Sequence, residues 1–418
     1  MNSQMMENIL SQHAEEAAFL WLLRNAAVAE PHYSLSDLAE LDERVEAHID
    51  GLRIAGDAGW EICKEVLAWE EPGELFTAAV LAFECGAEAR IQAVLEAGVE
   101  DLELSRGIIS ALGWMPYPQA EKYIKKLLGA EAPHLRRIGI ATSAIHRRDP
   151  GQSLADAISQ SDPWLRARVL RAVGELGRLN LLPAIKLYLT DENEDCRFQA
   201  AWSASLLMDN EALNILRSFL GPRSPYAEKA LKLALRRLGL SLAHSWQKEL
   251  AQNQQNIRLA LMGAGIIGDP ALVPWVIEQM NIPELARIAG EAFSMISGVD
   301  IAYYDLEGPC PEGFQAGPTE NPEDDGVDMD PDEDLPWPAP DLISNWWEKH
   351  KANFSNGKRY LLGKPITAEH LQYVLKYGRQ RQRAAAALEI MILQPGNPLF
   401  EVRAPANQQM QSLGLRPA

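Results

Sequence analysis

Five acids between residues 328 and 334 (Asp328, Asp330, Asp332, Glu333 and Asp334) recur closely enough to suggest cation ligation. A calcium loop places ligands at positions 1, 3, 5 and 7, turns sharply on a glycine at position 6 and closes with a bidentate glutamate at position 12. Numbered from Asp328, position 6 is Glu333 and position 12 is Ala339. The turn and the last ligand are both missing, so a solvated acidic loop, or a face docked on a basic partner, fits these residues better than a metal site. Trp337, Trp346 and Trp347 follow. Tryptophan is enriched where binding energy concentrates at protein interfaces. The plainer role for these rings is to pin the segment into grooves between helices. The intervening LPWPAP is stiff and extended, which suits a strap or a recognised peptide.

Other chemistries lack their geometry. Gly263, Gly265 and Gly268 spell GxGxxG, but a dinucleotide site needs a strand before these glycines. They fall where a repeated helix is expected to end. The eight histidines show no HExxH spacing, and no GxSxG elbow, P-loop or kinase signature occurs. Acid pairs such as Glu15–Glu16 are too common in an acidic chain to argue for glycosidase chemistry. The expectation is a protein that is not an enzyme, with no cofactor and no metal.

The formal net charge of −19 repels phosphate backbones and anionic lipid surfaces. Nucleic-acid and membrane partners are therefore not expected, whereas basic protein surfaces are. Cys63, Cys85, Cys196 and Cys310 lie far apart, without zinc or redox spacing. No basic region precedes the first apolar run, and no apolar run reaches membrane-spanning length. A cytoplasmic location is expected.

The elements that must carry these residues repeat. Phe76, Arg106, Arg136, Arg166, Arg197, Ala227, Arg258 and Ala286 fall at steps of 28 to 31 residues. Each is followed by small or apolar residues at +3, +4 and +7, which share one helix face. A second apolar segment and a turn cluster complete each unit, so every unit reads as a helical hairpin that buries its apolar face only by stacking. The recurrent arginine is expected to bond carbonyls or an acid of an adjacent unit rather than to form a ligand row. Capping helices occupy 1–74, the second opening at Ser36 and Asp37. The array occupies 75–298, an acidic Pro/Trp-rich insertion with a connecting helix 299–366, and a C-terminal unit anchored by Arg381 occupies 367–418. The fold class is all-α, an α-α superhelix of HEAT-like solenoid type interrupted before its last repeat.

The units HLRRIGIATSAI, WLRARVLRAVGELG and DCRFQAAWSASLL resemble HEAT repeats, especially the short kind found in phycobilisome lyase-type proteins. HAEEAAFLW, LDERVEAHIDGLRIAG, DEDLPWP, the paired WW, RYLLG and RAAAALE together resemble a bacterial family with HEAT-like repeats, often encoded near type VI secretion spike and effector genes. That resemblance implies interbacterial toxin delivery, loading or protection and transfers no site residue. The expected function is non-catalytic binding of a protein partner, a type VI secretion effector, toxin or spike component, through Asp328, Asp330, Asp332, Glu333, Asp334, Trp337, Trp346 and Trp347. Two rivals are an immunity protein that masks a basic toxin site and a lyase-type small-molecule enzyme.

Overall fold

The computed structural model describes residues 3–317 and 329–416. Among these residues the chain is all-α, with twenty-two α-helices and one hairpin of two short strands, Tyr360–Leu361 and Lys364–Pro365. Helices pack pairwise in sequence order, as a HEAT-type solenoid requires. Two compact units emerge: Met1–Ala212 with Lys376–Arg381 and Gln394–Ala418, and Leu213–Leu375 with Gln382–Leu393. The segment 367–418 is thus shared between the units. No helix among the described residues is long and apolar enough to cross a membrane.

Local sequence sets the helix starts. Pro72, Pro133 and Pro163 open Pro72–Cys85, Pro133–Ile145 and Pro163–Glu175, where a fixed φ helps and the missing N–H costs nothing. The Asp162 and Asn193 side chains accept from Leu165 N at 2.7 Å and Cys196 N at 2.9 Å, capping Pro163–Glu175 and Glu194–Leu206. The expected start at Ser36 is corrected by two residues. Ser34 caps Leu35–Ala55, its Oγ accepting from Asp37 N at 3.3 Å while Asp37 accepts from Ser34 N at 2.7 Å. From Ser36, Asp37 is one residue away and cannot reach back; from Ser34 it is the third, where both bonds close.

In the first unit, Pro72–Cys85, Leu104–Trp114, Pro133–Ile145, Pro163–Glu175 and Glu194–Leu206 each pack on the next. Phe76, Ile108, Ile138, Val169 and Phe198 are fully buried along this row, each worth about 1.5–3 kcal/mol of transfer free energy. Small residues set the spacing. A Cβ added at Gly107 would lie 2.5 Å from Pro72 O, and one at Gly174 would lie 2.8 Å from Ser203 Cα. Arg166 donates to Gln160 O at 3.0 Å and pairs with Asp191 at 3.3 Å, and Arg197 donates to Asp191 O at 2.6 Å. These repeat arginines therefore tie down the turns between helices.

In the second unit, Ala227–Arg237, Ile257–Ile267 and Pro283–Ser297 form the stack, flanked by Leu240–Ala251 and Val273–Gln279. Gly263 and Gly265 lie inside Ile257–Ile267, and Gly268 caps it with φ of 70°. A helix and not a strand carries these glycines, and their role is packing and termination. The insertion begins and ends side by side: Gly308 N donates to Trp337 O and Ala339 N to Leu306 O, both at 2.8 Å. Pro340–His350 then brings Trp346 and Trp347 edge-on to buried Phe293, with ring centroids 5.8 and 6.3 Å away.

Candidate functional site

The acidic segment turns two of its charges, Asp330 and Asp332, inward. Asp332 is buried and accepts from both Nη atoms of Arg258 at 2.5 and 2.7 Å, while its carbonyl accepts from Arg287 at 2.9 Å. Asp330 pairs with Arg287 and also accepts from Asp332 N at 3.0 Å. Burial alone would raise the Asp330 carboxyl. The Asp332 N–H, Arg287 and Arg258 outweigh it and hold the group below its ordinary value. Trp337 lies over the Arg287 guanidinium at 4.5 Å and edge-on to Phe314 at 4.9 Å. Trp347 is buried, and half-buried Trp346 stacks on His350 at 4.1 Å. Glu333 and Asp334 are exposed. Asp328 lies outside the described residues. Arginines hold Asp330 and Asp332, and no group of three or more potential metal ligands occurs among the described residues.

A second feature lies in the first unit. A groove of about 470 Å³ crosses the helices Leu104–Trp114, Pro133–Ile145, Pro163–Glu175 and Glu194–Leu206. Residues 401–405 wall it on one side and Trp21, Arg24 and Asn25 contribute at one end. The wall is stapled by Leu399 N donating to Glu175 O at 2.9 Å and by Arg24 donating to the carbonyls of Arg403 and Ala404 at 2.5 and 2.7 Å. Asp42 completes the staple, accepting from Arg24 at 2.8 Å and from Ala406 N at 2.6 Å.

Six arginines and three carboxylates line the groove. Glu175 serves two guanidiniums at once, Arg168 at 2.9 Å and Arg171 at 2.7 Å. Glu401 turns to Arg147 at 3.1 Å. Arg106 meets Glu103 within its own turn, an exposed pair of little strength. The Arg137 side chain bonds Ser105 Oγ at 3.1 Å and Val99 O at 3.3 Å, and that of Arg403 bonds Asn25 at 2.7 Å. These last two cations hold neutral partners. Burial pushes Arg137 down, against the pull of Asp162 and Asp101. Trp164, 49% exposed, supplies an apolar surface in the same groove.

The acidic strap is the feature that sequence reasoning singled out; the groove is the one it missed. Arg106, Arg137, Arg168 and Gln199 fall at equal intervals of 31 residues. The repeat frame was anchored one residue earlier at Arg136 and two earlier at Arg166. The constant 31-residue step is the signal that would have found the row.

A family model of HEAT repeats matches residues 151–236, the stretch from Gln152–Ala157 to Ala227–Arg237. Repeats of this class stack into extended surfaces suited to protein recognition. No curated protein matches the chain.

Proposed function

We propose that the protein is a non-catalytic protein-binding scaffold, an adaptor or chaperone, whose docking face is the arginine-lined groove of the first unit. The observation that carries this reading is the groove itself. It runs across four successive repeat helices, exposes Trp164 and gathers positive charge in a chain of net charge −19. The matched HEAT repeats support it, because stacked hairpins present long surfaces to protein partners. The resemblance of the chain's ends and insertion to proteins encoded beside type VI secretion genes directs the reading to an effector or spike component as the bound protein, and to a cytoplasmic site of action. On the second unit, exposed Glu333 and Asp334 with half-buried Trp337 and Trp346 offer a further contact face, which Asp330, Asp332 and Trp347 hold in place.

The test is co-expression of the tagged chain with effector and spike proteins encoded beside it. One of them is expected to co-purify. If none does, the adaptor reading falls. Survival of cells expressing a toxin only when this chain is present would instead assign it to immunity.

A further inference from the structure

Resting on the scaffold reading, we propose that the groove of the first unit takes an extended acidic segment of the partner, carrying carboxylates at every third residue and an apolar side chain against Trp164. The spacing follows from the helices. Arg106, Arg137 and Arg168 sit on consecutive packed helices, whose axes lie about 8–10 Å apart. A polyproline II segment rises about 3.1 Å per residue and returns to the same face every three residues, so its same-face side chains recur at roughly 9 Å. A carboxylate at every third position therefore keeps step with these helices: it meets exposed Arg106 directly, while buried Arg137 and the Glu175-paired Arg168 add positive charge from the groove floor. A β-strand of the same length would present those positions to alternating faces.

Charge makes the same selection. The lining carries twice as many arginines as carboxylates, and Arg137 and Arg403 bond only neutral groups through their side chains. Guanidinium and carboxylate pair in a bidentate fork, so an incoming acid gains geometry as well as charge. Arg403 is exposed and the Arg106 side chain is 43% exposed, so both are open to a ligand arriving from solvent. Arg171, 40% exposed at its side chain and sharing Glu175 with Arg168, extends the run.

The test uses the full chain and three synthetic probes: a peptide of three Glu-Pro-Pro repeats ending in Leu, the same peptide with Gln for Glu, and citrate. Binding is read by tryptophan emission and by anisotropy of a labelled peptide. The Glu peptide is expected to bind at least tenfold tighter than the Gln peptide and to weaken as salt rises. Arg106→Glu and Arg403→Glu should each lose about tenfold or more without a change in circular dichroism or melting temperature. Equal binding of the Gln peptide overturns the inference. So does citrate binding as tightly as the Glu peptide, which would assign the groove to small polyanions. If the native partner is captured by wild type and by Arg106→Glu/Arg403→Glu alike, the scaffold reading stands and this inference falls. If wild type captures no partner, it is the scaffold reading that falls.

Discussion

Both Nη atoms of Arg258 reach the carboxylate of Asp332, at 2.5 and 2.7 Å, across 74 residues of sequence. Arg258 belongs to the repeat row and Asp332 to the insertion. One guanidinium therefore joins the regular array to the segment that interrupts it. The acid's side chain is only 5% exposed and the arginine's 31%, so the pair is stronger than a surface contact and less costly to desolvate than a fully buried one.

Asp332→Ala is expected to cost about 2–4 kcal/mol of stability, because it leaves Arg258 without the carboxylate that takes both its Nη atoms, while Arg287 keeps the residue's carbonyl and Asp330. Helical content should persist while Trp337 emission shifts to the red. A cycle of Asp332→Ala with Arg258→Ala, followed by chemical denaturation, should return a coupling of about 1–3 kcal/mol. A coupling near zero would remove the pair's role as a pin.

Gly174→Ala is expected to destabilise the first unit by about 1–3 kcal/mol. The new methyl would meet Ser203 Oγ at 2.5 Å and its Cα at 2.8 Å, and backbone does not yield as a flexible side chain does. Gly221→Ala is the control, since nothing lies within 4 Å of an added Cβ there. Thermal melts of the two variants should separate clearly.

Arg24→Ala is expected to cost about 3–5 kcal/mol, the usual consequence of leaving one member of a buried ion pair behind. Its partner Asp42 has a side chain only 9% exposed. Burial raises the Asp42 carboxyl, with Arg24 and the Ala406 N–H working against it. The same substitution frees the carbonyl of Arg403 and leaves that of Ala404 held by Gln409 alone, at 2.6 Å. Limited proteolysis should then cut between residues 399 and 406 sooner than in wild type.

His13 and His48 face each other with Nδ1 atoms 3.2 Å apart. Burial, then His13 and also Arg44, hold His48 below its ordinary value, with Glu16 opposing. A base whose folded value is lowered adds nothing above the unfolded value of about 6.5. Below it, the unfolded chain takes the proton more readily and stability falls. The melting temperature should therefore drop as pH is lowered from about 6.5 to 5, and His48→Gln should flatten that drop.

The helical array was legible because its signals are local. Prolines at first-turn positions, caps such as Asp162 and Asn193, and small residues at +3 and +4 all act within one turn of the residue that carries them. Facing was less legible. Each residue advances about 100° around a helix, so Arg137 and Arg168, one and two residues beyond the anchors at Arg136 and Arg166, point elsewhere than those anchors do. The strap shows the same limit. Alternating acids identified Asp330 and Asp332 as notable, but their direction is decided by Arg258 and Arg287, more than forty residues away. The groove wall at 401–405 was not legible, since the bonds that place it against the helices run to Arg24, more than 370 residues away.

Those bonds also set an order of events during synthesis. Arg24 grips carbonyls 379 and 380 residues downstream. At about 5–20 residues per second on the ribosome, the helices of the first unit wait on the order of ten to forty seconds for the wall that completes them. Over that interval the groove stands without its wall and without Arg403, so cargo binding of full strength waits for the last residues to be made.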